Sequence, residues 1–277
     1  MQMETYPILV ILFCFGLIIG SFLNVVILRS GTGLKVTKGR SKCFSCNKTL
    51  TWYELIPLVS FAIQRGRCRV CGSKISLQYF LVELATGLAL PAVFLCVQPV
   101  EAMWINLLMF VLVSVLICLY IVITVYDLRH KLIPDAFSYA AALVALATMG
   151  LGFLSAGAID FSHVIAGPAL FLFFFFFWAV SRGRWMGLGD AKLALSIGWF
   201  LGLSSGIAAI LLSFWLGSVI TILIMIAQRI AARIKGRSGG VLRMRSEIPF
   251  GPFIILGFAI VFLFSLDTQL LLSFLAV

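Results

Sequence analysis

The sequence predicts an all-α polytopic membrane protein of about eight transmembrane helices, with a small cytoplasmic lobe between helices 1 and 2. Three observations predict it. The 277 residues are 62% hydrophobic and 11% charged, with a mean hydropathy of +1.14. A soluble protein of this length needs far more polar surface. Apolar runs of about 20 residues, the length that crosses a bilayer, recur along the whole chain. Finally, the 21 Lys and Arg are not scattered: they fall between the runs, and only some of the connections receive them.

The runs lie near 7–28, 78–98, 103–126, 135–154, 163–181, 206–228 and 249–267, with a shorter one near 191–204. The first lacks a basic leader and a small-residue cleavage site, so it reads as a retained helix rather than a removed signal. Counting the short run gives eight spans and puts all 21 Lys and Arg on one side. Counting seven moves the Arg229–Arg245 cluster across the membrane. The positive-inside rule favours eight and makes the basic face cytoplasmic. Glu4, Glu101, Asp160 and Asp267 are then the acids of the opposite face. The net charge of +11 is accounted for by topology, with some attraction to anionic lipid, and a nucleic-acid role is not expected.

Residues 29–79 are the one sizeable polar stretch. They hold Cys43-Phe44-Ser45-Cys46 and Cys68-Arg69-Val70-Cys71, the second pair starting 22 positions after the first ends. Two Cys-x-x-Cys pairs at this spacing predict a tetrahedral four-thiolate zinc site. The alternative of disulfides conflicts with a reducing cytoplasmic loop. No ligand position is open, so the metal is expected to be structural, stapling a lobe too small to hold itself. Nearby Lys42, Lys48, Arg67 and Arg69 favour thiolates. A protein partner fits a membrane-tethered lobe of this kind better than nucleic acid does. Between the pairs, Trp52, Tyr53, Leu55-Ile56-Pro57-Leu58 and Phe61 form either a small core or a segment lying on the bilayer surface. The other cysteines, Cys14, Cys96 and Cys118, sit singly in apolar runs and read as small buried hydrophobes.

Two acids draw attention further on. Asp127 ends the third run, in Tyr126-Asp127-Leu128-Arg129, and Asp190 begins the sixth, in Gly187-Leu188-Gly189-Asp190-Ala191-Lys192. They are 63 positions apart, yet the eight-span topology gives them equal depth at the cytoplasmic edge. Carboxyls at a membrane boundary are costly and point to function. A close pair divides one proton between them, leaving one member able to accept a proton from water and the other able to donate. The plainer readings are an interfacial Asp127 paired with Arg129, and Asp190 capping its helix. Gly187 and Gly189 leave backbone open, where an extended chain could pair by strand addition. An ion-coupled transporter is the alternative reading of such a pair, but transporter sites lie near mid-membrane and no inverted repeat is visible.

Glu83 lies about one turn inside the second run, as a snorkelling acid, a partner of Arg29 or Lys74, or a polar contact for a cofactor or substrate. Asn24, with Gly20 and Ser21, reads as a helix-packing patch. Phe173–Phe177 read as lipid-facing bulk, and His130 and His163 as solvated interfacial histidines. The Glu247-Ile248-Pro249-Phe250-Gly251-Pro252 stretch predicts a hinge or a close backbone packing point at the start of the last helix.

Taken together, Gly20-Ser21-Phe22-Leu23-Asn24, the cysteine pairs, Arg65-Gly66-Arg67-Cys68, Val82-Glu83-Leu84, Asp127 with Ile133-Pro134-Asp135, Gly187-Leu188-Gly189-Asp190-Ala191-Lys192 and Ile248-Pro249-Phe250-Gly251-Pro252 resemble the bacterial type IV prepilin peptidases, which also serve type II secretion pseudopilins. The resemblance spans about residues 7–265. It implies an aspartic endopeptidase of the bacterial inner membrane that removes the basic leader of a prepilin or pseudopilin on the cytoplasmic side. It also implies N-methylation of the new terminus with S-adenosylmethionine. Asp127 and Asp190 match the family's catalytic pair, and Cys43, Cys46, Cys68 and Cys71 its zinc cysteines. No residue is fixed for methyl transfer, Glu83 being the one guess. The chain then divides into a first transmembrane helix at 1–28, a zinc-binding loop domain at 29–79, and a membrane peptidase domain of about seven helices at 80–277. The chain departs from the family's common pattern after Arg29, where Ser30-Gly31 replaces an Arg-x-Pro turn, and at Asn47, in a first knuckle lacking the common proline.

Overall fold

A computed structural model describes residues 2–32, 35–37, 39–97, 102–158, 160–234 and 248–270. Glu101, Glu247, most of the Arg229–Arg245 cluster and the side chain of Glu4, on which part of the topology reading drew, lie outside the described residues. Among these, six helices are long and apolar enough to cross a membrane, and one shorter apolar helix follows. The chain forms two compact units, Met1–Val125 and Tyr126–Val277.

In the first unit, α1 (Gln2–Arg29) packs antiparallel on α3 (Leu77–Cys96). Small residues set the distance. A Cβ on Gly16 would lie 2.6 Å from the Thr86 carbonyl oxygen, and one on Gly20 would lie 2.7 Å from the Glu83 Cα. Without Cβ atoms the two backbones close to contact, as membrane helix pairs commonly do. Asn24 ties the joint: its Nδ2 donates to the Gly20 and Tyr79 carbonyls, at 3.3 and 3.2 Å. Between these helices lie a single 3-10 turn at Trp52–Leu55 and α2 (Val59–Ile63). The unit ends in the greater part of α4 (Met103–His130).

The second unit takes up the last residues of α4 and continues through α5 (Asp135–Ala156), α6 (Phe161–Ser181), α7 (Leu188–Ile234) and α8 (Gly251–Phe264). Helix α7 has 47 residues, which straight would reach about 70 Å, more than twice a bilayer's core. It is not straight. Gly202 has φ 78° and ψ −178°, a conformation open essentially to glycine alone. Here the helix folds back: a Cβ on Gly206 would lie 3.8 Å from the Gly198 Cα, whereas residues eight apart in one helix are separated by about 12 Å. The arms 188–201 and 203–234 are therefore two antiparallel helices. These are the short sixth run and the seventh run of the sequence, so the described residues hold a helix for each of the eight apolar runs.

The turn is held by the start of α6. His163 packs its ring on Gly202, its Nδ1 lies 3.3 Å from the Trp199 carbonyl, and the Ser162 hydroxyl accepts from the Leu203 N–H. His163 is thus a packing residue that keeps part of the solvent contact expected of it, its side chain 30% exposed and its Nε2 3.7 Å from Asp160. The aromatic run also differs from expectation. Phe173 and Phe176 are exposed, but Phe174 is fully buried against Phe214 and Phe250. Gly257 admits α8 against the second arm of α7, its Cβ position meeting the Ala209 carbonyl and Ser213.

Candidate active site

The alternating course of α5, α6, the two arms of α7 and α8 brings their beginnings and ends to two poles. One pole carries Gly202, His163 and the Ser204–Thr268 hydrogen bond of 2.9 Å. The other collects the end of α4, the loop before α5, the start of α7 and the start of α8. Asp127 and Asp190 both stand at this second pole. They are 4% and 7% exposed.

Each carboxyl is held by a backbone N–H on a glycine. The Gly251 N–H, at the first residue of α8, donates to Asp127 Oδ2 at 3.1 Å. The Gly187 N–H donates to Asp190 Oδ2 at 3.3 Å. Asp190 is the third residue of α7, so it reaches back to the residue before the helix, as the acid of a capping box does. That refines the cap expected from the sequence. Asp127 lies one turn before the end of α4, and its bond goes to Gly251 rather than to Arg129. Ile133 links the two carboxyls' surroundings, meeting both Gly189, the neighbour of Asp190, and Gly251, the partner of Asp127.

Ile133 fills the space between the two glycine-bearing segments. A Cβ on Gly189 would lie 2.8 Å from the Ile133 Cβ, and one on Gly251 would lie 3.1 Å from its Cδ1 and 2.7 Å from Asp127 Oδ2. The loop turns back to reach this position through Lys131, with φ 53°. Pro134 then starts α5, and Lys192 reaches across from α7 to Asp135 at 2.6 Å and to the face of Tyr139 at 4.9 Å. One hydrophobic side chain and one ion pair thus tie together the segments that carry the carboxyls. Ile133 and Gly251 were legible only as members of motifs; nothing in the sequence assigned them a task. The Ile248–Pro252 stretch is a close packing point, one of the two roles expected for it.

The four cysteines form a second cluster, wholly within the first unit. Their sulfurs lie within 4.8 Å of one another, and Cys43 and Cys71 are 3.8 Å apart. Zinc–sulfur bonds of about 2.3 Å place tetrahedral sulfurs about 3.8 Å apart, so the donor set fits a metal ion. Two equivalent turns build it. Cys43 N–H donates to Lys48 O and Asn47 N–H to Cys43 O; Cys68 N–H donates to Ser73 O and Gly72 N–H to Cys68 O, all at 2.9 Å. The fifth residue of each turn has positive φ, 55° at Asn47 and 68° at Gly72. Asparagine tolerates that region better than most residues, which accounts for Asn47 following Cys46. Backbone N–H groups of Cys46 and Ser45 hold the Cys43 thiol down to about 6, and Ser73 lowers Cys71. Cys46 receives a bond from the Lys48 backbone that lowers it. Burial and the neighbouring sulfurs outweigh that bond and push it up to about 11.

Beside this cluster is an acid that sequence reasoning passed over. Glu54 is buried, paired with Lys48 at 2.8 Å, and accepts from the Thr51 N–H and hydroxyl at 2.9 and 2.8 Å. The pattern Thr-x-x-Glu at 51–54 is a capping-box signal and could have found it. Glu83 pairs with neither Arg29 nor Lys74. Its Oε2 accepts from the Leu58 N–H at 2.9 Å, and Ser21 is a second partner.

Fold and site define a polytopic helical membrane protein with two buried carboxyls at one pole and a separate four-thiol cluster. Residues 14–97 match the bacterial peptidase A24 N-terminal domain, and residues 114–222 match the type IV leader peptidase family. A prepilin leader peptidase/N-methyltransferase of Myxococcus xanthus is 36% identical, over 87% of this chain and 68% of its own length. Relatives of the same description from Bacillus subtilis and Vibrio cholerae are 33% and 30% identical, over 92% and 93% of this chain and 93% and 97% of theirs. No solved structure matches. The chain belongs to the type IV leader peptidase family.

Proposed function

We propose that this protein is a membrane aspartic endopeptidase of the bacterial inner membrane. It removes the leader of type IV prepilins or type II secretion pseudopilins at the cytoplasmic face and then N-methylates the new terminus. The observation that carries the peptidase reading is the meeting of Asp127 and Asp190 at one pole, each fixed by a glycine N–H. A transporter would place such a pair near mid-membrane, whereas these lie at helix ends.

One carboxylate takes a proton from a water, and the water oxygen attacks the scissile carbonyl carbon. The partner, protonated, donates to the carbonyl oxygen as its negative charge develops. Collapse of the tetrahedral intermediate breaks the C–N bond, with a proton passing to the departing nitrogen. The products are the leader's carboxylate and a free amine on the mature chain. The two acids share the protons as a pair, and the glycine N–H bonds fix which oxygens face the reaction. S-adenosylmethionine supplies an electrophilic methyl group for that amine. Glu83, the candidate contact for it, is engaged by Leu58 and Ser21 and is assigned here to tethering.

Cys43, Cys46, Cys68 and Cys71 hold a structural Zn²⁺ as thiolates, with no open position for chemistry. The loop domain at 29–79 depends on that staple for its fold. The direct test is leader removal by Asp127→Asn and Asp190→Asn, followed by mass analysis of a purified prepilin. Each variant should insert into the membrane normally and leave the precursor uncut. Cleavage by either at the normal rate removes that residue from the mechanism.

A further inference from the structure

The loop domain carries an apolar ridge that the peptidase chemistry does not use. Trp52 is 77% exposed and Ile63 66%, and Ile56 and Val59 are exposed as well. The ridge is therefore not the core of the lobe. Its position is set by two ties to α3. Leu58, which begins α2 with an unfavourable φ of 57°, gives its N–H to Glu83 Oε2, and Phe61 packs on Phe80 with ring centroids 5.5 Å apart. Glu83 is the seventh residue of a 20-residue span, about 9 Å along it from Leu77. Helix α2 is thus held beside the first turns of α3, a helix long and apolar enough to cross a membrane.

Charge says which lipid. Residues 29–79 contain ten Lys and Arg and a single acid, Glu54, and that acid is buried against Lys48. The ten cations far outweigh that buried acid and the formal −2 of a zinc tetrathiolate, so the charge this lobe shows to its surroundings is strongly positive. Arg65, Arg67 and Arg69 follow α2 and are exposed, and Arg69 lies 5.2 Å over the ring of Tyr53, next to Trp52. Tryptophan and tyrosine beside cations and aliphatic side chains suit the headgroup boundary.

We propose that the segment Trp52–Ile63 seats in the anionic cytoplasmic leaflet, with Arg65, Arg67 and Arg69 neutralising lipid headgroups. The lobe thereby lies against the bilayer instead of swinging free in the cytosol. The inference uses the first unit alone and does not depend on the peptidase reading.

The test uses the full chain in nanodiscs of phosphatidylcholine, with or without phosphatidylglycerol, whose acyl chains are brominated near the headgroup. The chain has six tryptophans, so the Trp52 signal is the difference between wild type and Trp52→Phe. That difference should be quenched by the brominated lipid, shielded from aqueous acrylamide, and more so with phosphatidylglycerol. Each Arg→Gln change among Arg65, Arg67 and Arg69 should lower the seated-to-free ratio about fivefold, and high salt should mimic it. Trp52→Phe/Ile63→Trp should restore quenching from the other end of the ridge. Acrylamide access without bromine quenching at both positions overturns the proposal and leaves a protein partner as the ridge's occupant. Equal quenching in both lipids, unmoved by the Arg→Gln changes, overturns the anionic requirement.

Discussion

Gly251→Ala should separate catalysis from folding at the proposed active site. The added Cβ would lie 2.7 Å from Asp127 Oδ2, 3.1 Å from Ile133 Cδ1 and 3.5 Å from Asp127 Cγ. The first distance is more than half an ångström inside ordinary contact, so the carboxyl must shift or rotate. Shifting lengthens the bond from the Gly251 N–H, now 3.1 Å. Bonds to charged acceptors are worth about 1.5–3 kcal/mol, and overpacking of a tight site costs about 1–3 kcal/mol. A carboxyl displaced by a fraction of an ångström forfeits part of its aim at the substrate, and full misplacement costs about 100-fold. The expected result is a fall in kcat of about 10- to 100-fold with KM nearly unchanged, since Gly251 meets the acid and not the leader. The assay is initial-rate cleavage of a purified prepilin in detergent, with thermal unfolding measured on the same preparation. Gly150→Ala is the control: it lies within α5, and its Cβ meets nothing within 4 Å, so it should leave the rate alone and stabilise slightly if at all. A Gly251→Ala enzyme cutting at the wild-type rate would refute the assignment of Gly251 as the group that holds Asp127.

Further tests follow from the other features. Purified protein should carry one zinc ion per chain; Cys43→Ser should release it, and chelation should unfold the lobe while α1 and α3 stay paired. Acid should weaken the lobe through Glu54, whose carboxyl Lys48 and Thr51 hold at about 2 against an ordinary 4.5. Folding therefore favours the ionised form: the contribution is complete above about pH 4.5 and is lost as pH falls toward 2. Thiolate protonation acts in the same direction, so the readout is the difference between wild type and Glu54→Gln, and identical acid profiles would count against the pairing. Gly202→Ala forces a side chain onto a φ of 78° against His163. It should cost about 1–3 kcal/mol, visible as a lower thermal midpoint, and an unchanged midpoint would mean that the hairpin does not need glycine there.

The membrane class, the helices of the eight apolar runs and the cysteine cluster were legible because each rests on a pattern that local chemistry enforces. Apolar length, positive charge on one side, and thiol spacing need no knowledge of partners. The short run at 191–204 was the weakest of these, and charge distribution rather than hydropathy rescued it. What the sequence could not supply was who holds what. Asp127 has Arg129 two positions on, and electrostatics alone makes that the obvious partner; the fold instead offers it a backbone N–H from 124 positions away. Glu83 has Lys74 and Arg29 within plausible reach, yet it serves Leu58, whose conformation could not be known before the lobe was folded. His163 reads as solvated because nothing in its neighbourhood announces that a hairpin turn will close over it. In each case a backbone group is among the missed partners, and backbone groups look alike in every sequence.

The pair α5 and α6 returns the chain to the pole of Asp127, where Asp190 begins α7, and the hairpin in α7 then brings the start of α8 to that same pole. A straight helix from Leu188 would carry the chain to the far pole and end there, leaving α8 to begin on the wrong side. Folding back at Gly202 returns the chain, so that Phe214 meets Phe250 at 4.9 Å and Phe253 packs on Gly217. Only then does α8 start where its first N–H can reach Asp127. Asp190 needs no such help, because Gly187 lies in its own turn. The two carboxyls are therefore held by different means: Asp190 by local sequence, and Asp127 by the register of three helices. Changes along 203–217 that slide the second arm should accordingly disturb Asp127 while sparing Asp190. The second arm meets the first near Gly198, at Gly206, whereas Gly189 and the Gly187 bond lie at the other end of the first arm.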